Sequence, residues 1–204
     1  MDQPTSNQVP VGFATVVSGL PRSGTSLMMQ MLAAGGVPPL TDDQRIPDDS
    51  NPRGYLELEA VKRLKADASW LPQARGKAVK IIHLLLPDLV SAADKEGGEY
   101  RVIMMRRPVE QVVASQRTML ARQGRASASL PDAQLGKMFL DQMERVERLL
   151  ATKPNFQVCP VQYPDLVADP AAEVARLNAF LGGSLDEAAM TRAVDPALYR
   201  ERTP

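Results

Sequence analysis

The 204-residue chain has one cysteine, Cys159, and one histidine, His83. A lone cysteine excludes an intramolecular disulfide framework and suits a reducing compartment. One histidine and one cysteine cannot build a transition-metal site of ordinary ligand spacing. Net charge is also lacking. With 24 basic side chains against 24 acidic ones, no broad cationic face for nucleic acid is expected. Long hydrophobic runs are absent: the longest apolar stretch, 78–90, contains Lys80, His83, Pro87 and Asp88 and is too short for a bilayer span. Residues 1–11 are polar and have neither the basic start nor the apolar core of a secretory leader. These absences lead to the expectation of a soluble, cytoplasmic protein. The length suits one sizeable core, so the reading is a flexible N-terminus over 1–11 and one domain over 12–204.

What is present is an alternation of strand and helix signals. Strands are expected over 13–18, 77–82, 100–105 and 156–161, each a short run rich in apolar residues. Helices are expected over 27–34, 56–69, 109–121 and 133–151. The last of these places Leu135, Met138, Phe139, Val146, Leu149 and Leu150 on one stripe. Asp169 and Pro170 suit the cap and first turn of a further helix, which Gly182-Gly183 ends. Strands separated by helices imply a single α/β domain, a parallel β-sheet flanked by helices on both faces, and the phosphate-loop frame that follows the first strand makes it P-loop type.

Between the first strand and the first helix lies Gly19-Leu20-Pro21-Arg22-Ser23-Gly24-Thr25-Ser26. Its frame is that of a phosphate-binding loop, G-x-x-x-x-G-x-[ST], with Thr25 where a nucleoside triphosphatase has its lysine. A glycine turn leading into a helix N-terminus gathers unpaired N–H groups and the positive end of the helix dipole, so it still suits an anion. A second segment, Arg106-Arg107-Pro108, follows the strand over 100–105 and opens a helix. Ser115 lies seven residues after Pro108, on nearly the same helix face. An arginine fork and a hydroxyl in that register can grip one phosphate together.

The string Pro21-Arg22-Ser23-Gly24-Thr25-Ser26 resembles the 5′-phosphosulfate loop of the sulfotransferases that use 3′-phosphoadenosine 5′-phosphosulfate (PAPS). The Arg107 and Ser115 pair resembles that family's 3′-phosphate site, with Arg106 as a rival for the arginine. Phe156 to Leu166, with Asp169-Pro170 after it, resembles the segment whose tyrosine lies near the adenine, here Tyr163; a core tyrosine at a strand end is the other reading. The tail from Val194 to Arg200 is similar to the bacterial branch, and the resemblance implies that Arg200 or Arg202 stands in for an absent glycine-rich basic loop. The resemblance implies a sulfotransferase that moves the sulfuryl group of PAPS to a hydroxyl or amine acceptor. That acceptor is a small molecule, a carbohydrate or a peptide, and the product nucleotide is adenosine 3′,5′-bisphosphate (PAP). It implies cofactor contacts from Arg22, Ser23, Gly24, Thr25, Ser26, Arg107, Ser115, Tyr163 and Arg200. Other readings of the same motifs are a non-catalytic PAP-binding module and a P-loop kinase, against which the missing loop lysine argues.

Two residues compete as the base that takes the acceptor's proton. In the cytosolic enzymes a Lys-Thr-His run ends the second strand. Here Lys80 and His83 stand near that place, with the histidine one residue late, so the match requires that the strand has already ended. Lys80 would support the leaving sulfuryl oxygens. The alternative base is Glu57 in Gly54-Tyr55-Leu56-Glu57, which resembles a Gly-Tyr-x-Glu motif of the bacterial branch. Paired anion sites predict that PAP stabilises the protein well beyond ATP. At one hundred times its dissociation constant, PAP should add roughly 2.7 kcal/mol. Thermal shifts with the two nucleotides check this, and equal shifts would remove the 3′-phosphate site.

Overall fold

A computed structural model of the chain describes residues 12–42, 44–45, 54–124, 130–195 and 199. The expected 1–11 segment, Arg200 and parts of the loops around 46–53 and 125–129 lie outside these. Four strands form one sheet in the order β2-β1-β3-β4: β1 (Phe13–Gly19), β2 (Ala78–Lys80), β3 (Glu99–Arg106) and β4 (Phe156–Gln162). All three pairings are parallel, as expected. The helices are α1 (Thr25–Ala34), α2 (Leu86–Glu96), α3 (Val109–Arg122), α4 (Asp132–Ala151), α5 (Tyr163–Ala168), α6 (Pro170–Leu181) and α7 (Glu187–Ala193).

Strand side chains alternate in direction, so the central strands feed two cores. Ala14 and Val16 of β1, with Val102 and Met104 of β3, pack against α2, α3 and α4. Phe13 and Val17, with Ile103 and Met105, pack against α1, α6 and α7. Both faces of the sheet are therefore covered, which is why every residue of β1 and the middle of β3 are buried. Segment 38–40 runs along the outer side of β2, with Leu40 N donating to the Ala78 carbonyl at 2.7 Å. On the opposite edge, β4 accommodates Pro160, where a missing N–H leaves no ladder position unfilled.

Two features depart from the sequence reading. The helix expected over 56–69 is only a short 3-10 turn, Glu59–Arg63. Its hydrogen bonds run i to i+3, as in Leu64 N to the Val61 carbonyl. Periodic burial of Val61 and Leu64 survives, but residues ahead of them are drawn into tertiary bonds instead of a helical ladder. In α4 the buried stripe includes Met143 and leaves Met138 exposed. Elsewhere the reading holds: Asp169 caps α6 by accepting from Ala172 N, and Gly182 closes it in the left-handed conformation.

The topology also places the site. From β1 the chain crosses to β2 on one side, then to β3 on the other. A crevice therefore opens beyond the carboxyl ends of β1 and β3, where parallel α/β sheets bind ligands.

Candidate active site

Register brings two distant segments to the same level. Gly19, the last residue of β1, pairs with Met105 of β3, so the loop 20–24 and Arg107-Pro108 leave the sheet side by side. The loop is tightly wound. Ser23 turns both its backbone N–H (3.2 Å) and its hydroxyl (2.7 Å) onto the Leu20 carbonyl. Arg22 at φ 70 and Gly24 at φ 101 both adopt left-handed backbone. For arginine that conformation costs roughly 1–2 kcal/mol, so something must hold it. Arg107 Nη1 donates to the Arg22 carbonyl at 3.2 Å, and Arg22 Nε donates to Ser115 Oγ at 3.2 Å. The two anion motifs are thus locked to each other through residue 22.

Arg107 is itself held on several sides. Its Nε donates to Gln111 Oε1 at 3.0 Å, one helical turn on, and Tyr199 donates to the same oxygen at 2.7 Å. The guanidinium lies 5.1 Å from the Tyr163 ring centre and 4.9 Å from that of Tyr199, and the two rings meet edge to face. Arg106 points elsewhere, forming a surface pair with Glu147 at 2.7 Å. Alternation along the end of β3 decides between the two arginines, and Arg107 is the one at the loop.

A cavity of about 380 Å³ opens against this arrangement, lined by Arg22, Gly24, Thr25, Ser26, Arg107, Ser115 and Tyr163 on one side. Glu57 and Lys80 lie in its wall, together with Leu58, Val61, Ile82 and Leu85. Six basic side chains line it against Glu57 and Asp195, so its field favours anions. The N-terminus of α1 faces it without a side-chain cap, and the first helical bond is Met28 N to the Gly24 carbonyl. Its leading N–H groups and dipole suit an anion there.

Lys80 is nearly buried, yet it donates to Ser26 Oγ (3.1 Å) and the Tyr55 carbonyl (2.7 Å) and pairs with Glu57 Oε1 (3.0 Å). The lysine absent at Thr25 is thus supplied beside the loop from β2. Burial pulls the Lys80 ammonium below its usual range, an effect that Glu57 only partly offsets. For Glu57, burial pushes the carboxyl up, but Lys80 and Arg45 outweigh it and hold it below the usual carboxylate range. Glu57 is therefore ionised at neutral pH, and what it adds to stability is lost as pH falls through that lowered value.

Residues 99–187 match the model of the sulfotransferase family. Over these residues the chain is similar to the sulfotransferase family. Its fold is shared by solved bacterial structures. A sulfotransferase from Mycobacterium tuberculosis H37Rv is 22% identical, with 96% of this chain and 75% of that one covered at a TM-score of 0.55. The sulfotransferase domain of the Synechococcus PCC 7002 olefin synthase is 19% identical, over 97% of this chain and 92% of that one, at 0.56. A sulfotransferase from Alicyclobacillus acidocaldarius is 14% identical, over 91% and 87%, at 0.51. At these identities the likeness is one of fold. No curated protein matches the sequence.

Within this fold, two residues expected at the site lie outside the cavity lining. His83 does not line the cavity. It is 1% exposed, its Nε2 lies 2.9 Å from Gln142 Oε1 on α4, and its Nδ1 is buried without a hydrogen-bond partner. The backbone stays extended past Lys80 through Ile82, so Lys80 and Ile82 reach the cavity while Ile81 and His83 turn away. Ser23 also lies outside the cavity lining, because its hydroxyl closes the loop. Gln111, Tyr199 and Arg45 are site residues that the sequence reading missed. The spacing of four between Arg107 and Gln111 was a usable signal for the first; the other two depend on tertiary contacts alone.

A Cβ at Gly24 would run into the Tyr163 ring at a φ that alanine disfavours. Gly24→Ala is therefore expected to displace the loop or Tyr163 and to weaken PAP binding by at least tenfold, about 1.4 kcal/mol. Calorimetric titration of PAP measures this, and an unchanged affinity would show that the packing of Tyr163 on the loop is irrelevant to the site.

Proposed function

We propose that this transferase moves the sulfuryl group of PAPS to a hydroxyl or amine acceptor, with Glu57 as the base. One observation carries the reading: the strained Arg22 is bonded to both Ser115 and Arg107, joining motifs that follow two adjacent strands into one anion-binding wall. The donor set suits a ligand with two anionic ends. The uncapped α1 N-terminus, Arg22 and Lys80 form one cationic locus, and Arg107 with Ser115 forms the other. Tyr163 sits between the loop and Arg107, where an aromatic ring can flank a base.

When bound, PAPS supplies a sulfuryl group on a phosphate leaving group. The sulfuryl group carries less charge than a terminal phosphoryl group, so the loop can do without its own lysine. The chain's residues do the rest. Backbone N–H groups at 25–27 and the Arg22 guanidinium bind the anionic end and stabilise charge that builds on the leaving oxygen. Lys80, held between Ser26 and Glu57, lies where it can share that charge. Glu57 is ionised and lines the same cavity, so it can accept the acceptor's proton. The acceptor reaches it past Leu58, Val61, Ile82 and Leu85.

Glu57→Gln should lower kcat by about 10²–10⁴ with PAP affinity retained, whereas His83→Ala should lower the melting temperature and leave the rate largely intact. A labelled-PAPS turnover assay with an acceptor panel decides between them, and a slow His83→Ala beside a normal Glu57→Gln would reverse the assignment. Arg107→Ala should weaken PAP binding by about 2–3 kcal/mol, the scale of a charged hydrogen bond left unmade. Arg22→Ala should depress kcat more than affinity, because its contact strengthens as charge develops. If Arg22→Ala lost affinity alone, its role would be binding only.

A further inference from the structure

Glu57 carries a second cation. Arg45 donates through Nη1 to both carboxylate oxygens, Oε1 and Oε2, at 3.0 Å each. Its guanidinium carbon lies 3.4 Å from the centre of the Tyr55 ring, so the fork is stacked as well as paired. The peptide it grips is anchored from three other directions. Gln30 of α1 donates to the Gly54 carbonyl (3.2 Å), Thr41 donates to the Glu57 carbonyl (2.8 Å), and Lys80 of β2 donates to the Tyr55 carbonyl (2.7 Å). Between Tyr55 and Glu57, Leu56 sits at φ 49, a conformation disfavoured for leucine. That reversal turns the Tyr55 carbonyl and the Glu57 carboxylate onto the same ammonium. A strained turn with this many anchors is built to hold one side chain in one place.

Lys80 and Arg45 differ in what else they touch. Lys80 also bonds Ser26 of the anion loop, so an anion seated there competes with Glu57 for it. Arg45 has no bond to the loop; it reaches Glu57 and Tyr55. We propose that Arg45 is a positioning residue for Glu57, the partner that holds its carboxylate in place at the cavity wall while Lys80 serves the anion loop. The proposal rests on Glu57 being the base. Among the described residues, other charged groups nearby are engaged: Asp42 accepts from the backbone N–H groups of Gln44 and Glu59, Glu59 pairs with Lys62, and the Arg22 charge acts on Lys80.

The test uses Arg45→Gln, which removes the charge, and Arg45→Lys, which keeps the charge but loses the fork and the stacking. Titration of the Glu57 carboxylate by carbon-13 NMR gives a readout independent of turnover. Its midpoint should rise in Arg45→Gln toward the ordinary glutamate range and move less in Arg45→Lys, because removing a nearby cation favours the protonated form. The kcat of Arg45→Gln should fall by about tenfold or more, and the acid limb of its pH profile should move up with the NMR midpoint. PAP affinity should stay within about twofold, since Arg45 does not touch the loop. An unmoved midpoint overturns the proposal, as does a loss of kcat accompanied by equal losses of melting temperature and PAP affinity. Glu57→Gln, assayed alongside, separates the two levels. A normal rate there removes Glu57 as the base. A slow Glu57→Gln beside a normal Arg45→Gln removes only Arg45.

Discussion

Residue 22 carries the connection on which the site depends. An arginine in left-handed backbone is unfavourable alone, and the loop keeps it because Arg107, just after β3, bonds its carbonyl and Ser115 of α3 accepts from its guanidinium. Those bonds exist because Gly19 and Met105 are paired in register, which makes the turns after β1 and β3 start at one level. Glycine at position 19 allows the close pass, since a Cβ there would lie 2.6 Å from the Met105 carbonyl oxygen. The sheet register, the loop strain and the anion wall are therefore one constraint seen at three scales.

The second organising feature is the placement of charge in a partly dry crevice. Burying Lys80 is costly unless it is paired, and its pairing with Glu57, the Tyr55 carbonyl and Ser26 satisfies it while leaving it beside the loop. Glu57 in turn is held ionised between Lys80 and Arg45. The basic lining and the field of the α1 N-terminus make a cavity that favours anions, with the ionised Glu57 carboxylate in its wall. The remaining wall, with Leu58, Val61, Ile82 and Leu85, is apolar.

Tyr163 shows how far local chemistry and packing can coincide. Its ring fills the space that a side chain at Gly24 would occupy, stands beside Arg107, and meets Tyr199 edge to face. A buried tyrosine at a strand end is common in protein cores. Here the buried ring also lines the cavity.

The sequence by itself determined the fold class, the four strands, the capped ends of α6 and the two anion motifs, because each of these depends on short-range pattern: periodicity, glycine placement and cap chemistry. It could not determine which of two adjacent arginines faces the loop, or which of His83 and Glu57 reaches the cavity. Those choices rest on the direction of single side chains at strand ends, where a one-residue continuation of extended backbone reverses the face. Tertiary structure decided them, turning His83 toward Gln142 and Arg106 toward Glu147 while drawing Glu57 to Lys80. It also undid the helix expected over 56–69, because bonds from Gln30, Thr41 and Lys80 claim the backbone of 54–57 before a helical ladder can form. Arg45 and Tyr199 join the site through tertiary contacts, since only the folded chain brings them beside Glu57 and Arg107.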